Sequence, residues 1–418
     1  MLNLSFEPST DDLYNFLLES DVSDCDLSTK RWLKQSPKNL LKAELYVAER
    51  MARIGGKRKT YDTHSIEVYL DENIDRLAES IFYGTYKPLR GTVHIINNPV
   101  QREICAAPYP DRIVHHYVVD TINPWWDRRL NVGASSCRVG KGTSYAVGLL
   151  DKHIRRASGN FARSVYVIKM DITGYFMHIK RELLLKRVLW GLDRQFEGNY
   201  NKRYQMVKYA IEQIIMDDPI AGIKIQGRYD DWRGLPADKS LFMAAFNCGI
   251  VIGNVTSQVF SNIYLDTLDR FMTIELGYKN YGRYVDDFYI VVTEEQLPQV
   301  KRDVEVIDAF LRTLGLSLNR KKTRRYEVWQ GVPFLGTVNK CGVIMPDKRI
   351  YRNYAKAVRS YIAGAKNEES VASYLGMMKN YDAWKAMQKP FGKNKKLMNN
   401  FRNVIGDKLG GGVVEFLV

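Results

Sequence analysis

Three aspartates carry the strongest chemical signal in the chain. Asp171 closes the run Val165-Tyr166-Val167-Ile168-Lys169-Met170, a β-branched, apolar stretch that reads as a buried strand ending on a carboxylate. Asp286 and Asp287 lie about 115 residues further on, inside Tyr281 to Val292, which reads as two strands around the Asp-Asp pair. If those strands are neighbours in one sheet, the carboxylates converge. Phosphoryl transfer to a 3′-hydroxyl uses two divalent cations roughly 3.5 to 4 Å apart, one activating the hydroxyl and one bridging the triphosphate and leaving group. Magnesium prefers hard oxygen donors, so carboxylates must supply its ligands. An aspartate at a strand end is more often a turn former, so the pattern around these three decides their meaning.

The elements that must position them are legible in outline. Helical spacing covers Asn39 to Arg53 and Ser65 to Phe82, and a cap signal at Pro8-Ser9-Thr10-Asp11 predicts a short helix through Leu18. Gly55-Gly56-Lys57-Arg58-Lys59 forms a basic loop between the first two of these. Val93 to Ile96 and Arg102 to Cys105 resemble a hairpin around Asn97-Asn98-Pro99. Residues 180–216 read as mostly helical, 217–239 as a polar, glycine-containing insertion, and 253–271 as helix. A C-terminal helix from Tyr351 to Ala363 puts Tyr351, Tyr354, Val358 and Tyr361 on one face and Arg352, Lys356 and Arg359 on another.

The chain has 418 residues, with 62 Lys and Arg against 47 Asp and Glu, a formal charge of +15 that favours a polyanionic partner. The imbalance is uneven: residues 1–28 hold Glu7, Asp11, Asp12, Glu19, Asp21, Asp24 and Asp26 and no basic residue. Five scattered cysteines without a CxxC pair argue against a zinc knuckle or a disulfide framework and fit a reducing cytoplasm. No apolar run of about 18 residues is present, so no membrane span is expected.

Tyr281-Gly-Arg-Tyr-Val-Asp-Asp-Phe-Tyr-Ile-Val-Val292 resembles the Tyr-x-Asp-Asp hairpin of reverse transcriptases, and Lys169-Met-Asp-Ile-Thr-Gly-Tyr-Phe176 resembles their first palm motif. The resemblance continues in order through Tyr109 to His116, Ser136 to Thr143, Ile252-Gly-Asn-Val-Thr-Ser-Gln258, Leu316 to Thr323 and Phe334-Leu-Gly336. About 280 residues, from near Arg53 to near Thr337, are covered.

The resemblance implies an α+β right-hand polymerase fold: an N-terminal helical extension at 1–60, fingers with part of the palm at 61–165, a palm with antiparallel sheet at 166–344, and a short helical thumb with a basic segment at 345–418. It implies RNA-directed DNA synthesis with two Mg²⁺ ions, Mn²⁺ substituting, held by Asp171, Ile172, Asp286 and Asp287. The incoming nucleotide would meet Arg102, which grips the triphosphate, Phe176, whose ring excludes a ribose 2′-hydroxyl, and Ile252 and Gly253. Lys322 would protonate pyrophosphate, with Lys321 an adjacent competitor. Template and primer would meet Arg112, Arg138, Lys141 and Gly142, the primer grip Phe334, Leu335 and Gly336, and the helix-borne Arg352, Lys356 and Arg359. Lys389, Lys393, Lys395 and Lys396, interleaved with Trp384 and Phe391, extend that basic surface.

Most members carry Gln-Gly-x-x-x-Ser-Pro where this chain has Ile252-Gly-Asn-Val-Thr-Ser-Gln258, a form similar to that of diversity-generating retroelement enzymes. Loss of the amide implies lower fidelity. The N-terminal extension of about 60 residues points instead to bacterial, defence-associated enzymes. The expected partners are an RNA template, a DNA or RNA primer and dNTPs, with an accessory protein or a second copy also conceivable. Two rivals of other classes are a polymerase-shaped RNA-binding protein whose activity has lapsed, opposed by the presence of all three aspartates, and an RNA-dependent RNA polymerase, opposed by Phe176.

Overall fold

The computed structural model describes residues 36–53, 67–97, 100–378 and 381–391. The expected helix through Leu18, the acidic arm, the basic loop at 55–59, residues 98–99 of the hairpin turn, and Lys393, Lys395 and Lys396 lie outside the described residues.

In chain order the elements are α1 (Pro37–Arg53), α2 (Leu70–Phe82), β1 (Thr92–Ile96), β2 (Arg102–Ala106), α3 (Tyr109–Asp127), α4 (Thr143–Ser158) and β3 (Val165–Asp171). Then follow α5 (Tyr175–His178), α6 (Arg181–Gln195), α7 (Lys202–Met216), β4 (Lys224–Ile225), α8 (Val255–Arg270), β5 (Tyr281–Tyr284) and β6 (Asp287–Thr293). The remainder is α9 (Leu297–Thr313), β7 (Arg324–Glu327), β8 (Val332–Phe334), β9 (Thr337–Lys340), β10 (Val343–Pro346), α10 (Lys348–Ile362), α11 (Glu368–Met378) and α12 (Trp384–Gln388). Short 3₁₀ turns punctuate the polar insertion, and a π-helical turn at Phe271–Glu275 prolongs α8.

Two compact units result, each built from separated stretches of sequence. The first comprises residues 1–131, 172–270 and 307–318. Its described part is a helical body in which α3 packs against α1, α6, α7 and α8, with the hairpin β1–β2 beside it. Helix α3 starts at the Pro108–Tyr109 junction with Pro110 in its first turn, where a missing N–H costs nothing, and buries Ile113, Val114, Tyr117, Val118 and Ile122. Helix α7 is capped by Asn201, whose side chain accepts from the Tyr204 N–H at 2.9 Å. The insertion at 217–239 is not wholly irregular, because β4 pairs in parallel with β1 through Thr92↔Lys224 and Val93↔Ile225.

The second unit, residues 132–171, 271–306 and 319–418, contains the four-stranded antiparallel sheet β5-β6-β3-β7 and the three-stranded antiparallel sheet β10-β9-β8. Val165, Val167, Tyr289 and Val291 of the larger sheet join Val147, Leu150 and Ile154 of α4 and Phe334 in one core. Helix α4 begins after Gly142 (φ 135°) and stops at Gly159, a left-handed cap at φ 61°. Helix α10, capped by Asp347, buries Tyr354 and Val358 and exposes Arg352, Lys356 and Arg359, the division expected from its spacing.

One glycine tests the packing of the first unit. On helix propensity alone, Gly191→Ala in α6 should stabilise by about 1 kcal/mol. A Cβ there would lie 2.4 Å from the ring of Trp126, which is 1% exposed and has nowhere to go. Overpacking costs about 1 to 3 kcal/mol and wins, so Gly191→Ala should lower the melting temperature. A raised melting temperature would show that the ring yields.

Candidate active site

The register of two strands brings Asp171 and Asp287 together. Strand β3 pairs with β6 from Val165↔Thr293 to Asp171↔Asp287, so the last residue of one strand faces the first of the other. Strand β5 pairs with the far edge of β6 and ends on Tyr284↔Asp287, leaving Val285-Asp286 as a two-residue turn. Val285 takes φ 57°, a left-handed conformation costly for a β-branched residue. Neighbours hold it there: the Val285 N–H donates to Ser136 Oγ at 3.0 Å, and its carbonyl accepts from Nη1 of Arg283, itself 1% exposed, at 3.0 Å. Arg283 is in turn paired with Ala134, in the segment that carries Arg138, Lys141 and Gly142. Arg138 donates to the Ala134 carbonyl at 2.9 Å and Lys141 to that of Val132 at 3.2 Å.

Each facing carboxylate meets a lysine. Lys322 Nζ lies 2.9 and 3.1 Å from the two oxygens of Asp171, and Lys169 Nζ lies 3.3 Å from Asp287 Oδ2. These four residues, with Lys321, Arg324 and Tyr326, line one open pocket. Burial holds the Asp287 carboxyl above the usual carboxylate range; Lys169 and Lys322 oppose that shift, while repulsion from Asp171 reinforces it. Among the described residues no three His, Cys, Asp or Glu side chains gather closely enough to hold one ion, and Asp286 stands in the turn between β5 and β6. Two facing carboxylates in an open pocket are nevertheless the hard-oxygen donor set a magnesium ion prefers, and the site fits one on that ground.

The same unit holds Phe334, Leu335 and Gly336. Phe334↔Thr337 closes β8 and β9 around a two-residue turn, with Leu335 at φ 47° and Gly336 at φ 81°, the positive-φ pair that tight hairpins require. The Phe334 ring is buried edge-on against Tyr289 at 5.2 Å, and Lys169 Nζ sits 5.4 Å from its centroid. Lys169 thus touches both Asp287 and the hairpin, a role nothing in its sequence position announced.

The description "Reverse transcriptase (RNA-dependent DNA polymerase)" belongs to the family that matches residues 101–339. The chain belongs to the reverse transcriptase family. Its activity is therefore RNA-directed DNA polymerisation, a nucleotidyl transfer, and its fold class is the α+β right-hand polymerase fold. No curated protein matches the sequence. Similar solved structures include apo telomerase from Candida tropicalis, at 14% identity over 99% of this chain and 78% of that one with a TM-score of 0.44. Telomerase from Candida tropicalis with a fragment of telomeric RNA matches at 13% identity over 97% and 80% with a TM-score of 0.41. Telomerase from Candida albicans with the corresponding fragment matches at 12% over 85% and 64%, also with a TM-score of 0.41.

Of the other residues expected at a reverse transcriptase site, Arg352, Lys356 and Arg359 lie on α10 of the second unit, and Ile172, Phe176, Ile252, Gly253, Arg102 and Arg112 lie in the first. Ile172 is buried and bridged to Leu318. Phe176, half-buried on α5, and Ile252 pack on one cluster with Val93, Cys105, Met177 and Leu241. The Ile252 carbonyl accepts from the Cys105 N–H at 2.8 Å, and Gly253 at φ 132° lets the chain pass so close that a Cβ would fall 2.3 Å from the Cys105 carbonyl oxygen. Arg102 begins β2 with its side chain exposed, and Arg112 donates to the Ala107 carbonyl at 2.8 Å. A residue the sequence did not single out is Glu103, 1% exposed, which accepts from Ser240 Oγ at 2.5 Å, the Leu241 N–H at 2.6 Å and the Trp232 indole at 2.8 Å. It ties the polar insertion to the β1–β2 hairpin.

The raised pKa of Asp287 has a kinetic consequence. If Asp287 holds a divalent ion, a proton competes with it for the carboxylate, so lowering pH toward the raised value should increase the Mg²⁺ concentration needed for half-maximal dNTP incorporation. Raising pH should lower it. Magnesium titrations of primer extension at several pH values test this, and a requirement independent of pH contradicts it.

Proposed function

We propose that this reverse transcriptase copies RNA into DNA with Asp171, Asp286 and Asp287 as its metal-holding carboxylates. The observation that carries the reading is the cross-strand pair Asp171↔Asp287 at the mouth of a lysine-lined pocket. Bound there, two magnesium ions would activate the attacking 3′-hydroxyl and neutralise charge on the triphosphate. Asp171 and Asp287 hold the oxygens in place from adjacent strands, and Asp286, in the turn between β5 and β6, is the third proposed ligand. Lys322, hydrogen-bonded to Asp171, is the proposed proton donor to departing pyrophosphate, and Lys321 lines the same pocket. Phe176 and Ile252, on one cluster with the β1–β2 hairpin, form the proposed nucleotide-facing wall with Gly253 and Arg102. Arg112, Arg138, Lys141, Gly142, the Phe334–Gly336 turn, Arg352, Lys356 and Arg359 are the proposed contacts for template and primer.

For biological role we propose bacterial anti-phage defence, acting in the cytoplasm on a cognate non-coding RNA, supported by the N-terminal extension of about 60 residues. A second reading, error-prone cDNA synthesis in a diversity-generating retroelement, is favoured by Ile252 in place of the usual Gln. Among the described residues no helix is long and apolar enough to cross a membrane.

Asp171→Ala and Asp286→Ala should each abolish Mg²⁺-dependent primer extension on an RNA template, by at least about a thousandfold if the lost charge stabilisation reaches roughly 4 kcal/mol. RNA affinity should stay within about twofold, because basic surface rather than the carboxylates meets phosphate. Extension at the wild-type rate in either variant would remove that residue from the catalytic set.

A further inference from the structure

We propose that the first unit carries a binding strip for single-stranded RNA, in which Tyr83, Tyr200 and Trp190 stack unpaired bases and Lys202, Arg194 and Arg129 meet the phosphates. None of these six belongs to the site described above. The three aromatics are unusually open for their size, at 69%, 57% and 43% exposure. Trp190 lies on α6, Tyr83 directly follows α2 and Tyr200 stands in the loop before α7, and these helices pack in sequence, α2 on α7, α7 on α6 and α6 on α3.

Along the strip rings and cations alternate. Lys202 Nζ lies 4.4 Å over Phe82, whose ring meets Tyr83 edge-on at 5.1 Å. Tyr200 meets Tyr204 at 4.8 Å, and Tyr204 meets Phe196 at 5.6 Å. Trp190 has Arg194 5.9 Å away on its own helix and Trp125 at 6.1 Å across to α3, with Arg129 stacked 3.9 Å over Trp125.

Charge decides the class of ligand. Of the nearby carboxylates, Asp266 is engaged by Arg187 at 2.6 Å, Glu44 by Arg203 at 2.5 Å and Asp193 by the Tyr204 hydroxyl at 2.6 Å, which leaves the exposed Glu197 in the loop before Tyr200 against the three cations. Arg129, Arg194 and Lys202 pair with no carboxylate among the described residues, which leaves their charge for an anion. Separate aromatic faces beside unpaired cations suit a flexible polyanion whose bases are free to stack. A duplex hides its base faces, and a protein partner would favour one contiguous apolar patch instead. That the strand is RNA follows from the family's template, and the strip adds a second place for it.

The test is fluorescence anisotropy of the full chain with labelled oligouridylate, in excess unlabelled primer–template and without dNTPs, so its outcome is independent of the carboxylate mechanism. Replacing Tyr83, Tyr200 and Trp190 together by Ala should weaken binding at least about tenfold, the loss of roughly one stacked base. Replacing Arg129, Arg194 and Lys202 by Gln should weaken binding and flatten its salt dependence. Saturated extension of a short primer–template should stay within about twofold, and Trp190→Phe should retain affinity. If the triple alanine variant melts early, Tyr83→Ala and the glutamine set, all on exposed or half-buried positions, carry the test. Unchanged oligouridylate affinity in both sets overturns the proposal; if the aromatic set then alters sedimentation instead, the strip is a protein interface.

Discussion

Two like charges held face to face govern the second unit. Directly opposed residues of antiparallel strands have Cα atoms about 4.5 to 5.5 Å apart, and like charges on such a pair repel. The β3–β6 register imposes that proximity on Asp171 and Asp287, and it cannot relax by slipping. A shift of one residue would turn Val165 and Val167 out of the core shared with α4 and force the larger Tyr166 and Ile168 into their places. Hydrophobic burial along the strands therefore fixes an electrostatic cost at their ends. Lys322 and Lys169 offset it, and the Asp287 carboxyl is raised chiefly by its burial, with the repulsion from Asp171 adding to that.

The two turns of this unit share one physical character. Val285 and Leu335 both adopt positive φ in two-residue hairpins, conformations that cost of order 1 to 3 kcal/mol each for such side chains. Both are held by surroundings that leave little choice. Ser136 and the buried Arg283 clamp the first, while Phe334 is locked against Tyr289 before the second. Lys169 connects them, reaching Asp287 with its ammonium and lying beside the Phe334 ring. Backbone strain at the aspartates and at the hairpin is thus maintained by one core.

Much of this was legible in the chain. Alternating β-branched residues up to Asp171, apolar flanks around Asp286-Asp287, and tyrosines against basic residues from Tyr351 onward are local patterns, and local patterns survive folding. What could not be read depends on distant partners. Lys169 and Lys322 are ordinary basic residues until the sheet carries them to the carboxylates. Strand β4 hides in a polar insertion because its two residues pair with β1 rather than with anything nearby. Asp286 and Asp287 are adjacent in sequence, yet one stays in the turn and the other begins a strand opposite Asp171, a difference that only the strand register reveals. The aromatic strip needed four helices to come together, which no single segment displays.

The central claim is that the facing pair holds divalent metal, and it is tested most directly by electron paramagnetic resonance of Mn²⁺ binding to the full chain and to Asp287→Asn. The wild type should bind Mn²⁺ saturably, and the substitution, which keeps shape while removing charge, should weaken binding at least about tenfold. Equal Mn²⁺ affinity in the two proteins would contradict the account.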